Sequence, residues 1–235
     1  MDCSQHCRHL LQWLPLFIGP AMAKHFGAVG GSVGTLVVQC LETAVDLHSV
    51  RERLAAGKVA FWPKSIHVAN CAAWLCLLCL ATTASLSDAD FAGHCGALGQ
   101  SFVAAFALLS AAAGRPFTAQ LAAEQVPDLG RPMVEGFHGD GCEQLRDEFR
   151  KANLVAALVW AAALASAATV QEVGFNLFEH KSLGEIVLCH LLPPLCILVA
   201  ARQGYVLVHH ICPVPIILDP SAVRLVSPGD ALLAS

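Results

Sequence analysis

One feature limits what this chain can fold into more than any other: a long apolar segment without a charged side chain. Residues 66–86 contain no Asp, Glu, Lys or Arg. About 20 apolar residues in an α-helix, each rising about 1.5 Å, cross a hydrocarbon layer about 30 Å thick. The segment therefore predicts a membrane-spanning helix.

The composition of the whole chain agrees with that prediction. Of its 235 residues, 56% are hydrophobic and 14% are charged, whereas soluble domains carry roughly 25% charged residues. The formal net charge of −4 argues against a nucleic-acid partner, which would require a basic surface. We expect an integral protein of an inner, plasma or organellar membrane, with the lipid bilayer and other membrane proteins as its partners.

Four other segments reach or approach the length of a span. Every backbone N–H and C=O inside lipid must be hydrogen-bonded within the protein, so all five segments are predicted to be helices. The predicted fold is all-α: a polytopic membrane helical bundle of about five transmembrane helices, in a single domain of residues 1–211. In the last span, Pro193 and Pro194 remove two N–H donors and predict a kink. The spans lie near residues 26–45, 66–86, 97–113, 152–170 and 186–208.

Three shorter regions flank or connect the spans. Residues 10–22 are apolar but too short to cross easily, which predicts a short N-terminal helix, re-entrant or tilted; whether it crosses is left open. The segment from Arg115 to Pro127 begins with a well-placed Pro and has apolar residues near helical spacing, which predicts an amphipathic helix at the cytosolic interface. The tail, residues 212–235, contains four Pro residues and is predicted to be extended.

Glycines recur at four-residue spacing in the first predicted span. Gly27 is followed by Gly31, and Gly30 by Gly34. This spacing lets helix backbones approach closely in a membrane. It favours helix packing inside one chain over homodimerisation.

The positive charges in the connections predict an orientation. Residues 48–65, 87–96, 114–151 and 171–185 contain four, zero, five and one Lys or Arg, respectively. Cytosolic loops of membrane proteins are enriched in Lys and Arg. The first and third connections are therefore predicted to be cytosolic, together with the C-terminal tail.

Polar side chains at membrane depth are the first candidates for chemistry, because each is expensive there. Glu42 and Asp46 lie one helical turn apart, with Gln39 on the same face. They form either a proton- or cation-binding edge that faces a cavity or a polar cap at the interface. His190 is a further candidate, as a titrating group or as a neutral side chain hydrogen-bonded between helices.

The eleven cysteines and eleven histidines raise the question of metal or redox chemistry. Cys76 and Cys79 form a C-x-x-C pair, which in a thiol oxidoreductase is reactive, but mid-span cysteines more commonly act as small packing residues. The Cys and His residues of segment 3–9 fit no standard zinc module. We predict no metal, no cofactor and no catalytic residues.

A short block near the middle of the chain resembles a known family. Residues 114–120 read GRPFTAQ, and a later helix start contains Asn153. With the layout of the spans, they resemble the bacterial intracellular septation protein A family and its uncharacterised inner-membrane relatives. The resemblance implies about five spans and a role in the cell envelope, without a settled molecular activity.

Three functions are consistent with these features. The first is a non-enzymatic scaffold or membrane-maintenance protein that binds partners through the GRPFTAQ block. The second is a small-solute or ion transporter that uses Glu42, Asp46 and His190 around a helix-lined cavity. The third is a membrane thiol oxidoreductase built on Cys76 and Cys79. The candidate interface residues of the first are Arg115, Pro116, Phe117, Thr118 and Gln120.

Overall fold

The fold is taken from a computed structural model that describes residues 14–56, 60–83, 87–125, 142–178 and 183–211. Across these ranges the chain forms helices and no strands, so the all-α prediction is confirmed there. The tail, residues 10–13 of the predicted N-terminal helix and the end of the predicted amphipathic segment lie outside the described residues.

Six helices organise the described chain, and four of them are long and apolar enough to cross a membrane. A single helical turn, Leu183–Glu185, and a π-helical segment, Ile186–Leu191, precede the last helix. The helices are α1 (Leu14–Ala55), α2 (Ser65–Thr83), α3 (Asp88–Ala112), α4 (Phe117–Gln125), α5 (Cys142–Leu177) and α6 (Leu192–Ile211). The stretches of spanning length are Ile18–Ala55, Ser65–Thr83, Asp88–Ala112 and Asp147–Leu177.

Helix α1 is broken at Gly27, whose backbone has φ 75° and ψ 173°. This left-handed conformation is readily adopted only by glycine. The chain turns back there. This is shown by Gly31, which lies so close to the backbone of Ala23 that a Cβ on it would overlap that backbone. Close packing within the chain, which the glycine spacing predicted, is thus confirmed at Gly31.

The part of α1 before the break packs into the bundle. A Cβ on Gly19 would overlap the ring of Trp74 in the middle of α2, and Trp74 is completely buried. Pro20 lies against Gly96 of α3. The short N-terminal helix is therefore fitted between α2 and α3 through small residues.

Helix α3 begins well before the predicted span of residues 97–113. Ser87 caps it, because its hydroxyl accepts a hydrogen bond from the Asp90 N–H (3.1 Å) and donates one to the Asp90 carboxylate (2.6 Å). Acidic side chains in the first turn also stabilise a helix start. Helix α5 likewise extends beyond residues 152–170 at both ends.

The predicted fifth span, residues 186–208, has a less regular backbone than the others. It starts as the π-helical segment and continues without a gap as α6, with Pro193 and Pro194 directly after the junction, where each removes an N–H donor from the helix. Its apolar stretch, Ile186–Ala200, is shorter than the four above. The count of five transmembrane helices stays a prediction.

Helix α5 packs most extensively against α6 and α3, while α1 packs against α3 and α2. The α3–α5 contact is built largely from alanines, which let the two backbones approach closely. The buried alanines of this contact are Ala104, Ala107, Ala111, Ala157 and Ala161.

Helix α1 exposes apolar side chains and buries polar ones, which is the reverse of a helix at the surface of a soluble protein. Its outward face is an apolar stripe whose side chains are 44% to 72% exposed: Val29, Val33, Val37, Leu41 and Val45. Its inward face carries Ser32, Thr35 and Gln39, all completely buried. An amphipathic helix in water places the apolar stripe toward the core instead.

Candidate functional site

Buried polar side chains gather at two ends of the bundle. One end contains the start of α2 and the end of α3, and is called the Lys64 end. The other contains the end of α2 and the start of α3, and is called the Asp88 end. The two ends differ in how their polar groups are arranged.

At the Lys64 end, α1 and α2 are joined by an ion pair. The ammonium Nζ of Lys64 donates to Oδ1 of Asp46 at 2.9 Å, and the two side chains are only 5% and 16% exposed. Nδ1 of His67 lies 4.0 Å from Oδ2 of the same Asp46 carboxylate. One turn earlier on α1, Nε2 of Gln39 donates to Glu42 at 3.3 Å. These five side chains are called the Asp46 cluster.

Several atoms of the Asp46 cluster are buried without a hydrogen-bond partner: Gln39 Oε1, Glu42 Oε1, Asp46 Oδ2 and both ring nitrogens of His67. Of these atoms, Asp46 Oδ2 belongs to the carboxylate whose Oδ1 pairs with the Lys64 ammonium. The ion pair ties α1 to the start of α2.

The GRPFTAQ block reaches the same end from α4. Phe117 is 2% exposed and belongs to the main apolar core, where its ring lies 6.3 Å from that of Phe106. Pro116 is also buried, whereas Arg115 is exposed. The block thus contributes chiefly to packing between α3, α4 and α5.

Two polar residues of the block make hydrogen bonds inside the bundle. The Thr118 hydroxyl donates to the backbone carbonyl of Asn153 at 2.7 Å. Oε1 of Gln120 accepts from the Ser65 N–H at 3.0 Å and from the Ser65 hydroxyl at 2.8 Å. These bonds join α4 to α5 and to the start of α2, so partner binding through this block stays a prediction that now depends on Arg115.

At the Asp88 end, the helices enclose a cavity of about 590 Å³. Ligand pockets in proteins commonly measure roughly 300 to 1,000 Å³. The part of α1 before the break, α3, α5, the π-helical segment and the start of α6 line it. Its walls include apolar groups such as Pro20, Ala92, Phe175 and Pro193.

Two glutamines from facing helices form the buried polar part of the cavity wall. Gln100 of α3 is 1% exposed and Gln171 of α5 is 6% exposed. The side-chain carbonyl oxygen of each is buried without a hydrogen-bond partner. A buried carbonyl in that condition is destabilising by roughly 1–3 kcal/mol, so each of the two amide oxygens has an unused acceptor position beside the cavity. This site is called the Gln100 cavity.

The remaining polar lining of the Gln100 cavity includes charged and imidazole side chains. Lys24 and His25 come from α1, and His190 comes from the π-helical segment; all three are exposed. Asp88 is the acidic residue of the lining, and its Oδ1 accepts from the Ala28 N–H at 2.8 Å. Asp88 therefore caps the helix that restarts after Gly27, and its negative charge is partly neutralised by that helix N-terminus.

A histidine–glutamate pair lies next to the cavity. Nδ1 of His94 is 2.8 Å from Oε1 of Glu172, and the His94 ring meets Phe175 edge to face at 4.7 Å. Phe175 is part of the cavity wall. The pair joins α3 to α5 beside Gln171.

The structure separates the three intramembrane candidates that the sequence singled out. Glu42 and Asp46 belong to the Asp46 cluster, whereas His190 lines the Gln100 cavity. Cys76 and Cys79 are free and exposed on α2. Within the described ranges, no group of three or more His, Cys, Asp or Glu side chains is arranged to hold a metal ion.

Sequence reasoning missed Gln100 and Gln171. These two side chains carry uncharged amides, whereas the candidates at membrane depth were ionisable groups. Gln100 lies inside the predicted span of residues 97–113, and Gln171 directly follows that of residues 152–170. An amide within an apolar run is the signal that could have found them, because a polar group in lipid needs a partner.

Comparisons of the chain with models of protein families, with curated proteins and with solved structures produced no match. The resemblance to the septation protein A family therefore stays a prediction.

Proposed function

We propose that this chain is a multi-pass integral membrane protein that binds a small solute in the Gln100 cavity and transports it. The observation that carries the proposal is the cavity itself, whose wall contains two buried amide carbonyls without partners. A preformed cavity with a few convergent polar groups is the usual form of a small-molecule site.

The membrane part of the proposal is supported by the surface as well as by helix length. Four helices have the length and hydropathy of spans, and α1 exposes a row of large apolar side chains while burying Ser32, Thr35 and Gln39. Lipid tails solvate such an apolar face, and polar side chains then serve contacts between helices. We expect the protein to remain in membranes that are washed with alkaline carbonate, and its release without detergent would contradict this part.

The orientation of the cavity follows from the positive-inside rule. The connections next to the Lys64 end are rich in Lys and Arg, and those next to the Asp88 end are poor in them. We therefore infer that the Lys64 end faces the cytosol. The Gln100 cavity then opens on the opposite side of the membrane.

Specific contacts favour the transport hypothesis over the scaffold and oxidoreductase hypotheses. A scaffold that binds through the GRPFTAQ block would have to do so with Arg115, since Phe117 and Thr118 are buried. An oxidoreductase would use Cys76 and Cys79, which are separate from the Gln100 cavity. The Gln100 cavity therefore offers a more complete binding site than Arg115 or the cysteine pair.

Cys189 provides a native reporter for the proposal, because it lines the cavity. In right-side-out vesicles we expect a charged, membrane-impermeant thiol reagent to label Cys189. A transporter must also expose the cavity to the other side, so slower labelling is expected in inside-out vesicles. A Cys189→Ser variant identifies the labelled site by peptide mass spectrometry, and Cys76 on the lipid-facing surface serves as the control cysteine.

Labelling from neither side would contradict a water-accessible cavity. Labelling from one side only, under every condition, would contradict transport while leaving ligand binding intact.

A further inference from the structure

We infer that the Gln100 cavity takes a small organic anion that also carries hydroxyl or amine donors. This inference rests on the proposed function, because it names the class of solute for that site. It follows from the position of hydrogen-bond acceptors, positive charge and apolar surface around one cavity.

The two buried glutamines favour donors on the ligand. Gln100 and Gln171 each present a carbonyl oxygen without a partner, and each is almost completely buried. An amide carbonyl accepts hydrogen bonds from N–H and O–H groups. A purely apolar molecule would leave both oxygens unsatisfied, so hydroxyl or amine groups belong at this part of the ligand.

The charged lining favours a negative group on the ligand. Lys24 carries a positive charge, and His25 and His190 also belong to the lining. The Asp88 carboxylate already accepts a hydrogen bond from Ala28, at a helix N-terminus where negative charge is stabilised. A carboxylate or phosphate beside Lys24 would gain charge-assisted hydrogen bonds.

The apolar part of the wall argues against a bare inorganic ion as the ligand. Phe175, Pro20 and Pro193 line the space between the polar groups. A dehydrated metal ion would need several oxygen ligands in their place. An organic anion instead covers this surface with its carbon skeleton while its polar groups reach the glutamines and Lys24.

Two sources can supply this chemistry. A free solute such as a hydroxy acid or a sugar phosphate carries an anionic group and hydroxyls. The headgroup of an anionic lipid, such as phosphatidylglycerol, carries the same groups at the membrane surface.

The test measures how probes protect Cys189 from a membrane-impermeant maleimide. Purified full-length protein is placed in nanodiscs of phosphatidylcholine, and the labelling rate is measured with glycerate, glycerol 3-phosphate or glycerol in solution. A second set of nanodiscs contains phosphatidylglycerol and no added solute. We expect at least one anionic probe to slow labelling and uncharged glycerol to have no effect at the same concentration.

Slowing by glycerate or glycerol 3-phosphate supports a free solute, and slowing only in phosphatidylglycerol supports a lipid headgroup. Labelling that no anionic probe slows, or that glycerol slows equally, would overturn the ligand class while leaving the open cavity in place. Absence of labelling in all nanodiscs would instead contradict the proposed function.

Variants at Lys24 separate charge from structure. Lys24→Gln is expected to raise the probe concentration needed for half-protection about tenfold, the change that corresponds to loss of one charge-assisted contact. Lys24→Arg should retain protection, and Lys151→Gln, an exposed lysine of α5 outside the cavity, is the matched control. Unchanged protection in Lys24→Gln would overturn the role of positive charge at the cavity.

Discussion

At the Lys64 end of the bundle, buried polar side chains lie against one another, whereas at the Asp88 end two of them border a cavity. Lys64 pairs with Asp46 at 2.9 Å, and Gln39 donates to Glu42. Gln100 and Gln171, by contrast, border a cavity of about 590 Å³, and their side-chain carbonyls lack partners, as several atoms of the Asp46 cluster also do. The two ends use the same kinds of residue in different ways.

The difference indicates what each end is built for. A polar group inside a membrane protein persists either because it holds helices together or because it binds something. Mutual pairing at the Lys64 end serves the first purpose. Under the proposed function, the amides that border the cavity serve the second, so substitutions at the two ends should have opposite effects on stability and binding.

The largest expected effect is from breaking the ion pair of the Asp46 cluster. Lys64→Met removes the cation that lies 2.9 Å from Asp46 and leaves a largely buried carboxylate. Loss of one partner of a buried pair destabilises by about 3–5 kcal/mol. The free energy of unfolding, measured in mixed detergent micelles, should fall by that amount.

The double variant Asp46→Leu with Lys64→Met is the matched control, because it removes both charges. A buried pair replaced by apolar residues is often neutral for stability. We expect the double variant to recover most of the loss. Equal destabilisation in the single and double variants would show that the ion pair is not what holds α1 to α2.

The next effect concerns the GRPFTAQ block, where core and surface residues are adjacent. Phe117→Ala should reduce the free energy of unfolding by roughly 3 kcal/mol, because it leaves a cavity in the apolar core. Arg115→Ala, at an exposed position, should change it by less than about 0.5 kcal/mol. The contrast is measured by thermal unfolding in detergent. Similar midpoints for the two variants would contradict the buried position of Phe117.

The helical class could be predicted from the sequence because lipid leaves few choices for the backbone. Residues 66–86 had no charge, and α2 occupies most of them. The start of α3 was harder to predict, because its first turn contains Asp88 and Asp90 and resembles a polar loop. Ser87 stabilises that turn by capping, which a search for apolar length overlooks.

The candidate site was harder to predict than the fold. The polar face of Glu42 and Asp46 was visible from helical spacing, but Lys64 comes from a different helix and the pair depends on packing. The cavity depends on the turn at Gly27, which brings Lys24 and His25 to α3 and the π-helical segment. Spacing along the sequence does not encode such a turn.

A smaller effect is expected at the α1 break. Asp88→Ala removes the acceptor for the Ala28 N–H, and loss of such a cap destabilises by about 1–2 kcal/mol. Amide hydrogen exchange of residues 27–31 should accelerate, while Asp88→Asn should retain protection through its carbonyl. Asp90→Ala is the control, since Asp90 bonds to Ser87 within α3. Faster exchange at residues 27–31 in Asp90→Ala as well would count against a specific role for Asp88.

The smallest expected effect on stability comes from two glutamine substitutions, one at each end of the bundle, and this pair compares the two ends most directly. Gln39→Leu removes a donor to Glu42 and should destabilise by about 1 kcal/mol. Gln100→Leu removes a carbonyl that has no partner, so stability should stay within about 0.5 kcal/mol or rise. The same Gln100→Leu variant should lose protection of Cys189 by anionic probes, whereas Gln39→Leu should keep it. A Gln100→Leu protein that is clearly destabilised would mean that this amide already has a structural partner, and the contrast between the two ends would then fail.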